Sequence, residues 1–343
     1  MVLLSSREFA AMLTIHAGND QRFSWKHLLW EIVRCESACY REFVSRDNFG
    51  NIVFPNDAVY GIDSKILISN HSSGFGANLT SLLGPLIYLA RGTVFPAEIS
   101  TVTGFRNFRD LDSSNPLGQL FARVKLAASG QQSKPFATFV HYVNWKGNYR
   151  NIIFGELLGT VLGTYFSPRR EIVGLADQFF AAQNIDPSTC LSVFIRGTDG
   201  VKGNVGETCA FVRKHFASNS AKVLLLHTDD LAVSKIVMSD LRDLPLVICD
   251  LLPIKPSNFS QQSAQPGISP TEAGVFSLAT LLVMAKSKYL IVGSGQFSLW
   301  AVLLRGNMHG VVQFQGNGHL QNHLYARILY WLIKITKPET VTL

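Results

Sequence analysis

The sequence predicts an α/β fold built from two doubly wound halves that face a cleft, on three observations. From about residue 191 onward, short apolar runs alternate with segments of helical periodicity, the pattern of parallel strands joined by crossover helices. Two of those runs, Leu191 to Ile195 and Val223 to Leu226, end on the clusters Arg196-Gly197-Thr198-Asp199 and His227-Thr228-Asp229-Asp230. In the first half, the run Lys65 to Ser69 leads into a loop with Gly74 and Gly76, and then into a helix from about Ala77 to Ala90. Ligands of open α/β sheets sit beyond the carboxyl ends of the strands, where both polar clusters fall. One cation with hydroxyls and carboxylates suits a ligand carrying phosphate and sugar hydroxyls. The plainer alternative is an Arg–Asp pair that ties its own loop together.

Taken in order, Trp25 to Phe43 places Leu28, Leu29, Ile32 and Val33 on one face and reads as an amphipathic helix. Arg46 to Asn51 is a turn cluster. A strand, a loop with two close glycines and a helix start form an arrangement that binds phosphate, because free N–H groups and the positive dipole end face the loop. The third glycine of a dinucleotide fingerprint is missing, and no Gly-Lys-Ser/Thr occurs, so neither NAD nor a P-loop is indicated. Phe136 to Val143 reads as a strand. Asn151 to Tyr165 and Glu171 to Gln183 read as helices, parted by Ser167-Pro168. The domain boundary is expected there, giving residues 1–168 and 169–343.

In the second half, a helix at Leu231 to Leu241 precedes a strand at Leu246 to Cys249. A long proline-bearing loop, Leu251 to Pro270, reaches a helix at Glu272 to Ala285. The strand Tyr289 to Val292 ends in Gly293-Ser294-Gly295-Gln296 and opens a helix at Phe297 to Arg305. A strand at Val311 to Phe314 and a closing helix at Leu320 to Ile335 follow.

With 343 residues, 47% hydrophobic and 16% charged, the chain has the composition of two ordinary globular domains. A net charge of +7 suits an anionic ligand. The cations are scattered, with no basic stripe, so nucleic acid is not an expected partner. Cys35, Cys39, Cys190, Cys209 and Cys249 show no zinc spacing and read as reduced thiols. The N-terminus lacks a basic n-region and a long apolar stretch. The uncharged run Ile66 to Ala90 is broken by Asn70, His71 and glycines, so it reads as strand plus helix rather than a span. A cytoplasmic protein without a transmembrane segment is the expectation.

Four stretches, in order, resemble the superfamily of α1,2-, α1,6- and protein O-fucosyltransferases. They are GFGANLTSLLGPLIYLAR (Gly74 to Arg91), YFSPRREIVGLADQFF with VFIRGTDG (Tyr165 to Phe180, Val193 to Gly200), HTDD (His227 to Asp230) and MAKSKYLIVGSGQFSLWAVLLRG (Met284 to Gly306). The resemblance implies a GT-B fold of two Rossmann-like domains and inverting sugar transfer from a nucleoside diphosphate sugar, GDP-fucose first. The acceptor is a glycan or another hydroxyl compound, and no metal or cofactor is implied beyond the sugar nucleotide itself. It assigns the donor to Gly74, Phe75, Gly76, Asn78, Phe194, Arg196, Asp229, Asp230, Ser294, Gly295 and Gln296. Arg196 matches the arginine on the donor's β-phosphate, a task that suits a bidentate, permanently charged guanidinium.

This sequence departs from the family pattern at four places, the first being Asn78, which comes one position later in the glycine loop than the family's Asn. Phe194 stands where the family motif begins with His, Gly197 replaces the second arginine, and Thr280 stands where the α1,6 branch has an acid that reads guanine. A different donor, or a protein that binds nucleotide sugar without transfer, is therefore the alternative. Glu207, and secondly Asp199, are the candidates for the general base that deprotonates the acceptor. Glu207 has an ordinary reading too, as an acid favoured by a helix N-terminus. Asp110-Leu111-Asp112 matches a short metal-binding motif of other sugar transferases but follows no apolar strand. Trp145 to Arg150 offers aromatic and polar side chains to an acceptor, or is a solvated loop.

Overall fold

The computed structural model describes the strands at 45–46, 52–54, 58–60 and 65–68, and residues 74–91, 94–101, 105, 107–108, 117–122, 156–196, 205–254, 267–293 and 295–314. The first sheet begins with β1 (Ser45–Arg46), β2 (Ile52–Phe54), β3 (Ala58–Tyr60) and β4 (Lys65–Ile68). These four form an antiparallel meander. Helix α1 (Phe75–Arg91) then crosses to β5 (Glu98–Thr101), which pairs parallel with β4. This half was expected to be doubly wound, and its described sheet is mixed, with one parallel βαβ unit and three antiparallel additions. The links between β1 and β4 hold only three to five residues, and a parallel crossover needs a dozen or more.

A two-stranded ribbon of β6 (Phe121–Ala122) and β7 (Ser167–Pro168) lies between the halves in sequence. Helix α2 (Glu156–Tyr165) precedes β7 and packs on α1; helix α3 (Arg170–Ala182) follows it.

The second sheet contains β8 (Cys190–Ile195), β9 (Val223–Thr228), β10 (Leu246–Ile248), β11 (Tyr289–Val292) and β12 (Val311–Gln313). Its order is β10-β9-β8-β11-β12, and every pairing is parallel. Chain order reverses between β8 and β11, so the switch point, where such sheets bind ligands, lies there. The connecting helices are α4 (Val205–Ser218), α5 (Leu231–Asp240), α6 (Pro270–Lys286) and α7 (Gln296–Arg305).

Alternation along the strands assigns the two faces. Leu191, Val193, Ile195, Leu224 and Leu226 pack with Cys209 and Val212 of α4 and Val233 and Val237 of α5. Phe194, Leu225, Val247, Leu290 and Val292 pack on the other side with α3, α6 and α7. Both faces of the sheet are thus covered, which is why its strands read as continuous apolar runs. Helix α6 is buried nearly all round from Ala273 to Ala285, since α3 and α7 both pack against it. That explains an apolar helix that crosses no membrane; among the described residues, no helix is long and apolar enough to do so. Ser269 and Glu272 form a capping box with Pro270 at the first position, so α6 starts earlier than its periodicity indicated.

Helices α1 and α7 lie side by side and point the same way. Gly76 meets Gln296 and Phe297, and one turn on, Trp300 Nε1 donates to Thr80 Oγ1 at 3.0 Å. Trp300 is fully buried, its ring centroid 4.8 Å from that of Phe166. Arg305, in the last turn of α7, donates to the carbonyl oxygens of Ala285, Ser287, Lys288 and His309 and fixes the far end of the helix. The expected helix at Trp25 to Phe43, the strand at Phe136 to Val143 and the closing helix at Leu320 to Ile335 lie outside the described residues, as do Asp110-Leu111-Asp112 and Trp145 to Arg150.

Candidate functional site

An open pocket lies at the carboxyl end of the second sheet. Phe194 of β8 and His227 and Thr228 of β9 line it, with Asp229 and Cys249 just beyond their strands. Leu252 and Pro253 follow from the loop after β10, and Ser277 and Thr280 from α6. Gly74, Phe75, Asn107 and Phe108 close it from the first half, with Phe297 of α7. Aromatic rings dominate one wall. Phe75 meets Phe108 edge-on at 5.3 Å, and Phe194 lies 5.2 Å from Phe297 at 36°. An apolar slot with a few convergent polar groups is the usual form of a small-molecule site.

The apolar run ends at Leu226, but the strand β9 continues through His227 and Thr228. His227 pairs with Phe194 in register, so the two stand side by side on the pocket face. The ring is fully enclosed, and burial pushes its pKa down to about 3. In the unfolded chain His titrates near 6.5, so below that pH the unfolded state binds a proton that the folded state refuses. Stability is therefore expected to fall as pH drops from about 6.5 toward 3. His227→Gln should flatten that part of a stability–pH curve measured by urea denaturation; an unchanged slope would assign the loss elsewhere.

The two strand-end aspartates have different tasks. Asp229 lines the pocket. Asp230, expected on the donor, caps α5: its Oδ1 accepts from Ala232 N at 2.7 Å and Val233 N at 3.0 Å. Asp230→Ala should cost about 1 kcal/mol and lower the melting temperature by about 2–4 °C, leaving ligand affinity nearly unchanged in the same thermal scans. Asn78 has a comparable structural task. Its Nδ2 donates to Gly74 O, and its Oδ1 accepts from Phe105 N, both at 3.2 Å, which holds the 105–108 segment over the pocket.

Gly76, assigned to the donor, lets α7 approach closely, since a Cβ there would stand 2.7 Å from Gln296 C and from Phe297 N. Gly295 is the N-cap of α7, and a Cβ on it would stand 3.5 Å from Arg196 Nη1. The Arg196 guanidinium thus sits at the start of α7, beside the start of α1. Neither first turn contains an acidic residue. Gln296 Oε1 is buried there with no hydrogen-bond partner.

Glu207 stands in the first turn of α4, on the opposite face of the sheet from α6, and is not among the pocket residues. Asp199, Gly197 and Ser294 lie outside the described residues. Cys249 is held protonated, its pKa pushed up to about 12 by burial, and is no nucleophile. Cys190, Cys209 and Cys249 are free thiols. Among the described residues, no three His, Cys, Asp or Glu side chains cluster as metal ligands. The polar groups on α6, Ser277 and Thr280, carry no local motif; only the position of α6 over the strand ends marks them.

No protein-family profile matches the chain, and no curated protein does. Solved structures do. The apo form of POFUT1 matches at 11% identity over 47% of this chain and 50% of its own, with a TM-score of 0.32. POFUT1 in complex with GDP matches at 11% identity over 47% and 52%, with a TM-score of 0.31. This chain therefore aligns with about half the length of each. The α-1,6-fucosyltransferase NodZ, soaked with GDP-fucose, matches at 14% identity over 75% and 95%, with a TM-score of 0.42.

Proposed function

We propose that the chain is an inverting glycosyltransferase of fucosyltransferase type that takes a nucleoside diphosphate sugar, with GDP-fucose the first donor to test. One observation carries this. At the switch point between β8 and β11, three positive features converge beside an aromatic pocket: Arg196, the start of α7 and the start of α1. Two parallel helix dipoles and a guanidinium repel one another and attract a shared anion. A diphosphate fits that place, and a nucleoside fits the adjoining pocket, with Asp229 and Thr228 near ribose hydroxyls.

In the transfer, a carboxylate takes the proton of the acceptor hydroxyl, whose oxygen attacks the sugar's anomeric carbon from the face opposite the diphosphate. The bond from that carbon to the diphosphate oxygen breaks, and the departing charge falls on Arg196 and the helix ends. These groups offset the leaving-group charge without a divalent ion. Residues 1–168 would present the acceptor, a glycan or other hydroxyl compound, and residues 169–343 the donor.

A nucleotide-sugar-binding protein without transfer is the second reading. The placement of Glu207 on the far face of the sheet favours it. Asp199 then remains the base to test.

Thermal-shift titration with GDP, UDP, dTDP, CDP and ADP, each with and without magnesium, tests the site. A ligand at a hundred times its Kd stabilises by about 2.7 kcal/mol, a rise of about 5–10 °C. Selective stabilisation by GDP without magnesium supports the proposed donor. A preference for UDP or dTDP keeps the site and changes the donor, and no shift with any nucleotide rejects the site. Release of fucose, or its transfer, from GDP-fucose then separates the enzyme from the binding protein.

A further inference from the structure

Behind His227 lies a chain of hydrogen bonds whose directions are forced. Ser287 Oγ donates its proton to Val283 O at 3.0 Å. In the 2.7 Å contact between Ser192 and Ser287, Ser192 must then be the donor. Ser192 has only one hydroxyl proton, so in its 3.3 Å contact with His227 Nε2 it must accept. The ring therefore carries its proton on Nε2, and Nδ1 is a bare acceptor. Nδ1 is buried with no hydrogen-bond partner, in a residue that lines the pocket. On the facing helix α6, the buried Thr280 hydroxyl has only the weakly bonding Cys249 thiol beside it. A buried acceptor left unsatisfied is costly, and native structures seldom keep one without a use.

The geometry points to His227 as the residue that selects the base of the nucleotide, its bare Nδ1 accepting a hydrogen bond from an N–H on the base edge. The inference rests on the nucleotide reading of the pocket. The aromatic walls accept any flat ring, so discrimination falls to the few polar atoms in the lining. An edge bearing N–H groups satisfies Nδ1, and Thr280 can donate to or accept from the same edge. A base whose N–H is removed or methylated leaves Nδ1 unpaired, the situation in which a polar site rejects an analogue most strongly.

The test uses the full chain and measures affinity by calorimetry for GDP, for IDP, which lacks the 2-amino group, for 1-methyl-GDP, and for inorganic pyrophosphate. Wild type should lose about tenfold or more for at least one of the two analogues. His227→Gln keeps an amide N–H for Ser192 but removes the acceptor at the Nδ1 position, and should bind GDP and both analogues within about threefold of one another. His227→Asn restores an acceptor there and should recover the preference. Pyrophosphate affinity should be the same in all three proteins, which also shows that they are folded. If wild type binds GDP and both analogues alike, or His227→Gln keeps the discrimination, the role of His227 is overturned while the nucleotide site stands. If wild type binds pyrophosphate but none of GDP, UDP, dTDP, CDP and ADP any more tightly, the nucleotide reading fails and the inference falls with it.

Discussion

Arg196→Ala should weaken pyrophosphate and nucleoside diphosphate binding by about 10- to 100-fold, the range expected when a charged hydrogen bond is lost. Arg196 Nη1 reaches the N-cap of α7, at the start of a helix whose first turn has no acid. A guanidinium there is repelled by the positive end of the helix dipole. If transfer occurs, turnover should fall further than affinity, by about 10²- to 10³-fold, because the departing diphosphate is more negative than the bound donor. Arg196→Lys keeps the charge but loses the planar fork and should recover only part of the binding. Calorimetry with pyrophosphate and GDP gives the affinities, and thermal denaturation gives the stability. Unchanged affinity would place the anion elsewhere, and a large loss of stability would make Arg196 a structural residue.

The second sheet was legible because its strands are buried on both faces. Runs such as Leu191 to Ile195 and Tyr289 to Val292 have no polar alternation to confuse with a helix, and each ends on a residue that cannot continue a core. The first sheet was less legible. Strands β1 to β3 have two or three residues each, and Glu-Ile-Ser-Thr of β5 has a single aliphatic side chain. Windows so short show no measurable period. The sequence assigns Arg196, Phe75 and Asp229 by their positions at strand or helix ends, and Phe75 and Asp229 line the pocket. The capping role of Asp230 is not legible in the sequence, because a carboxylate at a strand end is also a carboxylate just before a helix, and only the bonds to Ala232 N and Val233 N reveal it. The place of His227 within β9 is hidden in the sequence because an imidazole interrupts the apolar run. Three-dimensional partners decide its place: Ser192 beneath it and Phe194 beside it are 35 and 33 positions away in sequence.

Gly76→Ala should destabilise the protein and the anion site together. A methyl group at residue 76 would stand 2.7 Å from Gln296 C, 2.7 Å from Phe297 N and 2.8 Å from Gln296 O. All three are backbone atoms of α7, so no side-chain rotation relieves the overlap. The helix pair must move apart, yet it is pinned one turn on by the Trp300–Thr80 hydrogen bond and at the far end of α7 by Arg305. Overpacking of this kind costs about 1–3 kcal/mol, a fall of roughly 2–12 °C in melting temperature. The separation also opens the gap between the two helix starts and draws Gly295 away from Arg196. Pyrophosphate affinity should thus fall even at temperatures where the variant is fully folded. Gly159→Ala is the control, because nothing lies within 4 Å of the added carbon on α2; it should bind pyrophosphate as wild type does and melt no lower. If Gly76→Ala melts lower but binds pyrophosphate normally, the paired helix ends are a packing device and Arg196 alone attracts the anion. If both properties fall together, the close approach of the two helices is what assembles the site.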